Sequence, residues 1–230
     1  VKSKTLGEFE LDKVHLINNL EGLDKLPDKS VHFVFTDGPG HATTSLRWLS
    51  KLYRVLHDNG VIYQPTPTPQ RIDNYLDNEY TNYSAQSWMD VYSFFGFYQL
   101  DRIVARDPNT KNKQSHFLWT VFMKQGSFTF LRDDRCIFLN FPKSRLSKDI
   151  SEMGRSPEEY RAMIRQGMCN PDIDYVVLDI HAGSGACGVA ALELGVKYIG
   201  FEDDSFGVGI CEQANERLDK VKEKLKKRKK

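Results

Sequence analysis

The sequence lacks paired cysteines, long apolar runs and a large net charge of either sign. Its four cysteines, Cys136, Cys169, Cys187 and Cys211, lie far apart with no C-x-x-C pair. That spacing argues against a zinc site or any other metal site and predicts a reduced, cytoplasmic setting. No stretch approaches the ~18 consecutive apolar residues of a membrane-spanning helix, and no signal-peptide pattern opens the chain. A membrane partner is therefore not expected, and no internal repeat is visible. The net charge is only +1, but it hides an asymmetry. Residues 217–230 carry nine Lys or Arg against Asp219 and Glu223, while the other residues carry 23 basic and 29 acidic side chains. Nucleic-acid binders usually present a basic face, and here only the tail is strongly basic. Such a tail is either a solvated helix end or a salt-sensitive phosphate contact without base information.

What is present reads as one α/β domain. A chain of 230 residues with 40% hydrophobic and 27% charged residues can bury a sizeable core. Short apolar runs at Val14–Ile17, Val31–Thr36 and Val61–Gln64 predict strands. Leu46, Leu49, Leu52, Tyr53 and Leu56 recur at helical spacing, predicting a helix over Thr43–Leu56 that stops at Asp58-Asn59-Gly60. Pro65, Pro67 and Pro69 then predict an irregular stretch over 65–86. Trp88–Phe95 reads as a helix, and Phe97–Ala105 and His116–Phe122 as strands joined by a polar loop. Ser127–Leu131 and Cys136–Leu139 are further strand-like runs. Ser156-Pro157-Glu158-Glu159 is a helix start with proline at the first position. Ser205–Leu225 reads as an amphipathic last helix. The alternation of strands and helices predicts a doubly wound, mostly parallel sheet.

Function is written most densely in Tyr175–Glu202, YVVLDIHAGSGACGVAALELGVKYIGFE. An apolar strand ends at Asp179, a turn follows at Gly183-Ser184-Gly185, then a helix, then a second strand ending at Glu202. Gly183 and Gly185 would let the backbone approach a ligand, and the helix N-terminus would supply unpaired N–H groups. Glu202 stands where a carboxylate accepts ribose hydroxyl protons. Gly188 completes a G-x-G-x-x-G pattern, so a dinucleotide remains an alternative. Asp179 at the strand end disfavours a pyrophosphate, because its charge would repel it while attracting an amino or sulfonium cation.

DIHAGSGACGVAALELGVKYIGFE resembles the cofactor-binding motif of the permuted (beta-class) DNA amino-methyltransferases, which usually reads close to DPFAGSGTTGVAALELGRKFIGIE. His15–Leu23, Leu26–Val31 and Phe33–Asp37 resemble the lead-in to that family's catalytic motif. Leu52–Leu56 and Gly60–Tyr63 resemble the segment after it. The likeness covers roughly residues 13–65 and 155–218, and catalytic motif first, cofactor motif last, is the order of that class. The resemblance implies a Rossmann-like methyltransferase fold with circularly permuted motif order, filling residues 1–230 as a single domain. A variable recognition insert would occupy about 65–150, with Arg102, Arg106, Lys111, Lys113 and Arg132 as candidate contacts, and the basic tail 217–230 would follow. It implies S-adenosyl-L-methionine as cofactor, held by Asp179, His181, Gly183, Ser184, Gly185, Glu202 and Asp203. It implies double-stranded DNA with a flipped base as substrate, and a homodimer or partner subunit completing recognition.

The activity implied is methylation of the exocyclic amine of adenine or cytosine. The family's catalytic motif is usually Asp-Pro-Pro-Tyr, whose acid and carbonyl accept the amine protons while the ring stacks on the base. This chain reads Asp37-Gly38-Pro39-Gly40, so Asp37, Gly38 and Pro39 are its catalytic candidates. Gly40 carries no stacking ring, an interaction worth roughly 1–3 kcal/mol per base, and His41 and Trp48 are the candidate substitutes. Ile180 and His181 replace the usual proline and phenylalanine. Ser156-Pro157 replaces a Lys-Pro element, and Asn18-Asn19 an acidic residue after the first strand. These departures keep open a catalytically impaired, methyltransferase-like subunit that binds DNA or a partner. Methylation of RNA is a third reading.

Overall fold

The computed structural model describes residues 4–36, 47–66, 85–106, 116–124, 138–140, 156–203 and 209–228, with backbone alone at 66, 85–89, 101–106, 116–118 and 138–140. A small antiparallel pair, β1 (Thr5–Leu6) and β2 (Phe9–Glu10), precedes the main sheet. That sheet is built from β3 (Lys13–Leu16), β4 (Val31–Phe35), β5 (Leu56–Thr66), β6 (Phe97–Arg106), β7 (His116–Lys124), β8 (Phe138–Asn140), β9 (Val176–Asp179) and β10 (Lys197–Glu202). The helices are α1 (Asn19–Lys25), α2 (Arg47–Val55), α3 (Ala85–Phe94), α4 (Pro157–Gly167), α5 (Ala186–Glu193) and α6 (Ile210–Arg228). Strand order across the sheet is β3-β10-β9-β4-β5-β7-β6-β8. The five strands from β3 to β5 are parallel, and β7 is antiparallel to both β5 and β6. The doubly wound, mostly parallel sheet expected from the sequence is present, and β6, β7 and β8 of the 65–150 segment belong to it.

The strands are apolar on both faces because helices cover both. Phe33, Phe35, Val61, Tyr63, Val177 and Tyr198 face α4, α5 and α6. Val34, Ile62, Leu178, Ile199 and Phe201 face α1 and α2, with Tyr92 of α3 in the same layer. The chain leaves β9 through α5 to β10 on one side, and leaves β4 through α2 to β5 on the other. The neighbours β9 and β4, paired at Asp179 and Phe35, are therefore the point where the winding reverses. In such sheets ligands bind in the crevice outside the carboxyl ends at that point.

Two expectations need correction. The helix ends at Val55 and strand β5 begins at Leu56, so Asp58-Asn59-Gly60 does not separate them. Val31 pairs with Leu56 and Phe33 with Val61, so the intervening residues bulge out of register. Pro65 does not end the strand either: it pairs with Trp119 on the antiparallel neighbour, and β5 runs on to Thr66. A proline needs no ladder donor on the side where it has no N–H to give. The last helix is described from Ile210, and residues 43–46, 67–84, 127–131, 136–137 and 204–208, also covered by sequence expectations, lie outside the described residues.

Edge strand β3 is finished by a side chain. The Asn215 amide accepts from the Val14 N–H at 2.9 Å and donates to the Val14 carbonyl at 2.8 Å. It takes the place of a further strand and blocks edge pairing there.

A histidine pair sits at the opposite, amino-terminal end of the strands. His32 stacks on His57 at 4.7 Å and accepts from the Val176 N–H at 3.3 Å. Burial, then the neighbouring His57, lower the His32 pKa from its ordinary 6.5 to about 4. Between these values the unfolded chain binds the proton and the folded chain does not, so stability falls as pH drops from 6.5 toward 4. Allowing for partial exposure, the loss is about 1–2 kcal/mol. Urea unfolding across this range is expected to show that slope, and His32→Gln to flatten it; a slope unaltered by the substitution would contradict the assignment.

Candidate functional site

The carboxyl ends of three adjacent parallel strands, β10, β9 and β4, lie together at the reversal point, and each delivers polar groups of a different kind. Strand β9 ends in Asp179, which is 2% exposed and accepts from the His181 N–H at 3.1 Å. This bond turns the chain out of the strand and starts the loop. Ala182 N–H then donates to the Phe201 carbonyl at 2.9 Å, and Gly183 N–H donates to Glu202 Oε2 at 2.7 Å. The turn is thus stitched to the end of β10, and the Glu202 carboxylate is oriented by the loop backbone. On the other side, Ile180 N–H donates to the Phe35 carbonyl of β4 at 3.2 Å.

The three glycines of the turn and helix have different reasons to be glycine. Gly183 has φ +46°, and among the described residues a Cβ there would meet only the His181 carbonyl, at 3.9 Å. Its outer side is open to a ligand. Gly185 has φ +74° and caps α5, and a Cβ would sit 3.2 Å from that of Ala214 on α6. Gly188 lets α5 lie on the sheet, since a Cβ would be 2.7 Å from the Tyr198 ring and 2.9 Å from Leu218. The first bond of α5 runs from Val189 N–H to the Gly185 carbonyl at 3.0 Å. The N–H groups of Ala186, Cys187 and Gly188 precede it and have no acceptor within the helix, which gives that end a partial positive charge.

Several sequence-predicted residues meet here. Asp179, His181, Gly183, Ser184 and Gly185 lie on one continuous turn, Glu202 ends the adjacent strand β10, and exposed Asp203 follows it. His181 lies 3.1 Å from Asn19, Nε2 to the side-chain amide nitrogen. With the amide donating, the ring nitrogen accepts and the proton sits on Nδ1. Neighbouring Asn18 caps α1, accepting from the Leu20 N–H at 3.0 Å. Two of the departures from the family pattern, at Asn18-Asn19 and at His181, are therefore in contact. Ser156 caps α4, accepting from the Glu159 N–H, while the buried Glu159 carboxylate accepts from the Trp119 indole at 2.6 Å.

The catalytic candidates Asp37, Gly38 and Pro39 lie outside the described residues, as do Gly40, His41, Lys111, Lys113 and Arg132. Thr36, the residue before Asp37, is the last described residue of this segment and follows Phe35, whose carbonyl accepts from Ile180 of the glycine loop. Trp48, a candidate stacking ring, is 1% exposed and packs edge-on against Tyr92 at 6.4 Å. It is a core residue, and its ring is not offered to a base.

One residue the sequence reading missed is Arg217. Counted there with the basic tail, it reaches the glycine turn, with Nη1 3.3 Å from the Ser184 carbonyl and 3.5 Å from its hydroxyl. Burial lowers its pKa, opposed by the charges of Glu158 and Glu193. Its position one step from Ala214 and Leu218, which line the buried stripe of α6, was the available signal. Among the described residues no group of three or more His, Cys, Asp or Glu could hold a metal ion. No helix among them is long and apolar enough to cross a membrane.

No protein-family model matches the chain, and no curated protein matches it by sequence. Solved structures do match over nearly its whole length. The M1.HpyAVI–SAM complex superposes with TM-score 0.67 at 19% identity, over 90% of this chain and 98% of that one. PvuII DNA methyltransferase (cytosine-N4-specific) gives TM-score 0.64 at 14% identity, over 90% of each chain. TTHA0409 of Thermus thermophilus, complexed with S-adenosyl-L-methionine, gives 0.63 at 18% identity, over 91% of this chain and 93% of that one. The chain shares the Rossmann-like fold of these three proteins.

The account of the turn is testable through its glycines. Gly195 has φ +73° and open space where a Cβ would stand, so Gly195→Ala carries only the left-handed backbone cost of about 1–2 kcal/mol. Gly185→Ala adds the close approach of Ala214 and is expected to destabilise by more than Gly195→Ala. Equal losses in urea unfolding would show that α6 does not constrain the turn.

Proposed function

We propose that this protein transfers a methyl group from S-adenosyl-L-methionine to the exocyclic amine of adenine or cytosine in DNA, as a permuted (beta-class) amino-methyltransferase. The carrying observation is the glycine turn at the winding reversal, bonded to Glu202 and placed beside the strand that leads into Asp37. The solved M1.HpyAVI structure of the same fold is a complex with SAM, and PvuII is a cytosine-N4-specific DNA methyltransferase. The motif order of this chain, Asp37 before the turn, supports the permuted class.

The residues suit that cofactor. Gly183 opens its outer face, Glu202 offers a carboxylate for the ribose hydroxyls, and the α5 N-terminus favours negative charge such as a carboxylate. Asp179 contributes negative charge near the turn, favourable to an amino or sulfonium cation and not to a pyrophosphate. His181, Ser184 and Asp203 complete the proposed binding set. When bound, S-adenosyl-L-methionine supplies an electrophilic methyl group. The chain supplies the environment of the amine. Asp37 accepts an amine hydrogen bond, offsets the positive charge that develops as the nitrogen lone pair is used, and accepts the proton the nitrogen then loses. The Gly38 carbonyl is a second acceptor, and Pro39 limits the conformations of the segment.

DNA with a flipped base is the proposed partner, with residues of the 65–150 segment, a second copy or a partner subunit contributing specificity. A specific observation favours a second reading, a non-catalytic DNA- or protein-binding subunit: Gly38 and Gly40 stand where the family pattern has proline and a stacking ring.

Tritiated S-adenosyl-L-methionine with duplex, single-stranded DNA and RNA separates these readings. Label is expected in DNA, and Asp37→Ala is expected to lower transfer by at least about 100-fold. Transfer to RNA in preference to DNA would redirect the substrate. No transfer to any of the three by folded wild-type protein would leave the binding subunit.

A further inference from the structure

A fully buried polar cluster lies directly beneath the segment that enters Asp37. Thr36, Gln64 and Tyr92 are 0%, 1% and 0% exposed, among mostly apolar neighbours, with the buried Thr120 paired opposite Gln64. The Thr36 hydroxyl donates to Gln64 Oε1 at 2.7 Å, with the Tyr63 carbonyl also near at 3.2 Å. The Tyr92 hydroxyl donates to the same Gln64 oxygen at 2.9 Å. Gln64 Nε2 donates to the Pro65 carbonyl at 2.9 Å, which fixes the orientation of the amide so that its oxygen faces both hydroxyls. Burial pushes the Tyr92 hydroxyl far above its ordinary range, so it remains a protonated donor.

The cluster joins separate parts of the fold at one residue. Tyr92 comes from α3, and its ring stacks on Phe122 of β7 at 3.9 Å. Gln64 comes from β5, and Thr36 N–H also donates to the Tyr63 carbonyl of that strand at 3.2 Å. On the other flank, Phe35 receives the Ile180 N–H of the glycine loop. The end of β4 is thus pinned on both sides, one residue before Asp37. An apolar trio of similar size would stabilise the sheet at least as well, because buried polar groups contribute little net stability once their desolvation is counted. What hydrogen bonds add is direction.

We propose that Gln64 and Tyr92 are positioning residues of the reaction, acting through Thr36 to set where Asp37 stands; the proposal rests on the methyl-transfer reading above. A displacement of about 1 Å in a reacting group costs on the order of 100-fold in rate. Consecutive Cα atoms are only about 3.8 Å apart. A shift at Thr36 is therefore passed to Asp37 with little loss.

The test uses Thr36→Val, Thr36→Ser, Gln64→Leu and Tyr92→Phe in the whole chain, each checked by thermal unfolding. Gln64→Leu and Thr36→Val are expected to lower kcat by at least about tenfold, with the dissociation constant for S-adenosyl-L-methionine changed less than about twofold. Thr36→Ser keeps the hydroxyl and is expected to restore kcat to within about threefold of wild type. Tyr92→Phe keeps the ring stack and folds, and removing its bond to Gln64 is expected to lower kcat by at least about threefold. Folded Gln64→Leu and Tyr92→Phe variants with wild-type kcat would overturn the proposal. Hydrogen exchange of the Thr36 amide gives a readout without turnover: at least about tenfold faster exchange in Gln64→Leu is expected. Unchanged exchange there also overturns the proposal. If wild-type protein transfers no methyl group at all, the reading of Asp37 fails by that result, and the amide exchange still decides the cluster.

Discussion

The hydrogen bond from Gly183 N–H to Glu202 is the interaction on which the site depends. It joins the ends of two adjacent parallel strands and sets both the loop and the acid that a nucleoside would meet. It requires the chain to turn through left-handed backbone at Gly183 and Gly185, conformations that cost other residues about 1–2 kcal/mol each. The same turn starts α5 close to the sheet. Gly188 brings that helix onto Tyr198, and Ala214 packs α6 against Gly185. Arg217 then reaches back from α6 to Ser184. Replacing either turn glycine would disturb a strand end, a helix start and a helix–helix approach together.

The departures from the family pattern acquire a physical setting in the folded chain. Asn19 and His181, distant in sequence, form one polar pair beside the turn. A neutral pair of this kind holds the start of α1 against the glycine loop without placing a further charge near Asp179. Ser156 supplies a helix cap where the family has lysine, and Glu159 turns inward to the Trp119 indole. The changes at Asn19, His181 and Ser156 have local partners, in a fold shared with proteins of 14% to 19% identity.

Much of this was legible in the sequence because period and punctuation agree. The near-continuous apolar runs at Val31–Phe35, Val176–Asp179 and Lys197–Glu202 mark strands buried on both faces, and glycine with a terminal acid marks the turn between two of them. The bulge at Asp58–Gly60 and the passage of β5 through Pro65 were not legible, because both depend on which neighbour a strand has. Trp48 reads equally well as a stacking ring or a core residue, and only packing against Tyr92 decides between them. Arg217 was assigned by its charge to the tail when its helical position points it inward. The Thr36–Gln64–Tyr92 cluster joins residues up to 56 positions apart and leaves no local pattern.

The central claim is that the glycine turn is a working S-adenosyl-L-methionine site, and calorimetric titration tests it most directly. Wild-type protein is predicted to bind S-adenosyl-L-methionine saturably at one site per chain. Glu202→Gln, which weakens both the tie to Gly183 and the acceptor for the ribose, is predicted to bind at least about tenfold more weakly. Folded wild-type protein that produced no binding heat and no ligand-induced rise in melting temperature would contradict the account.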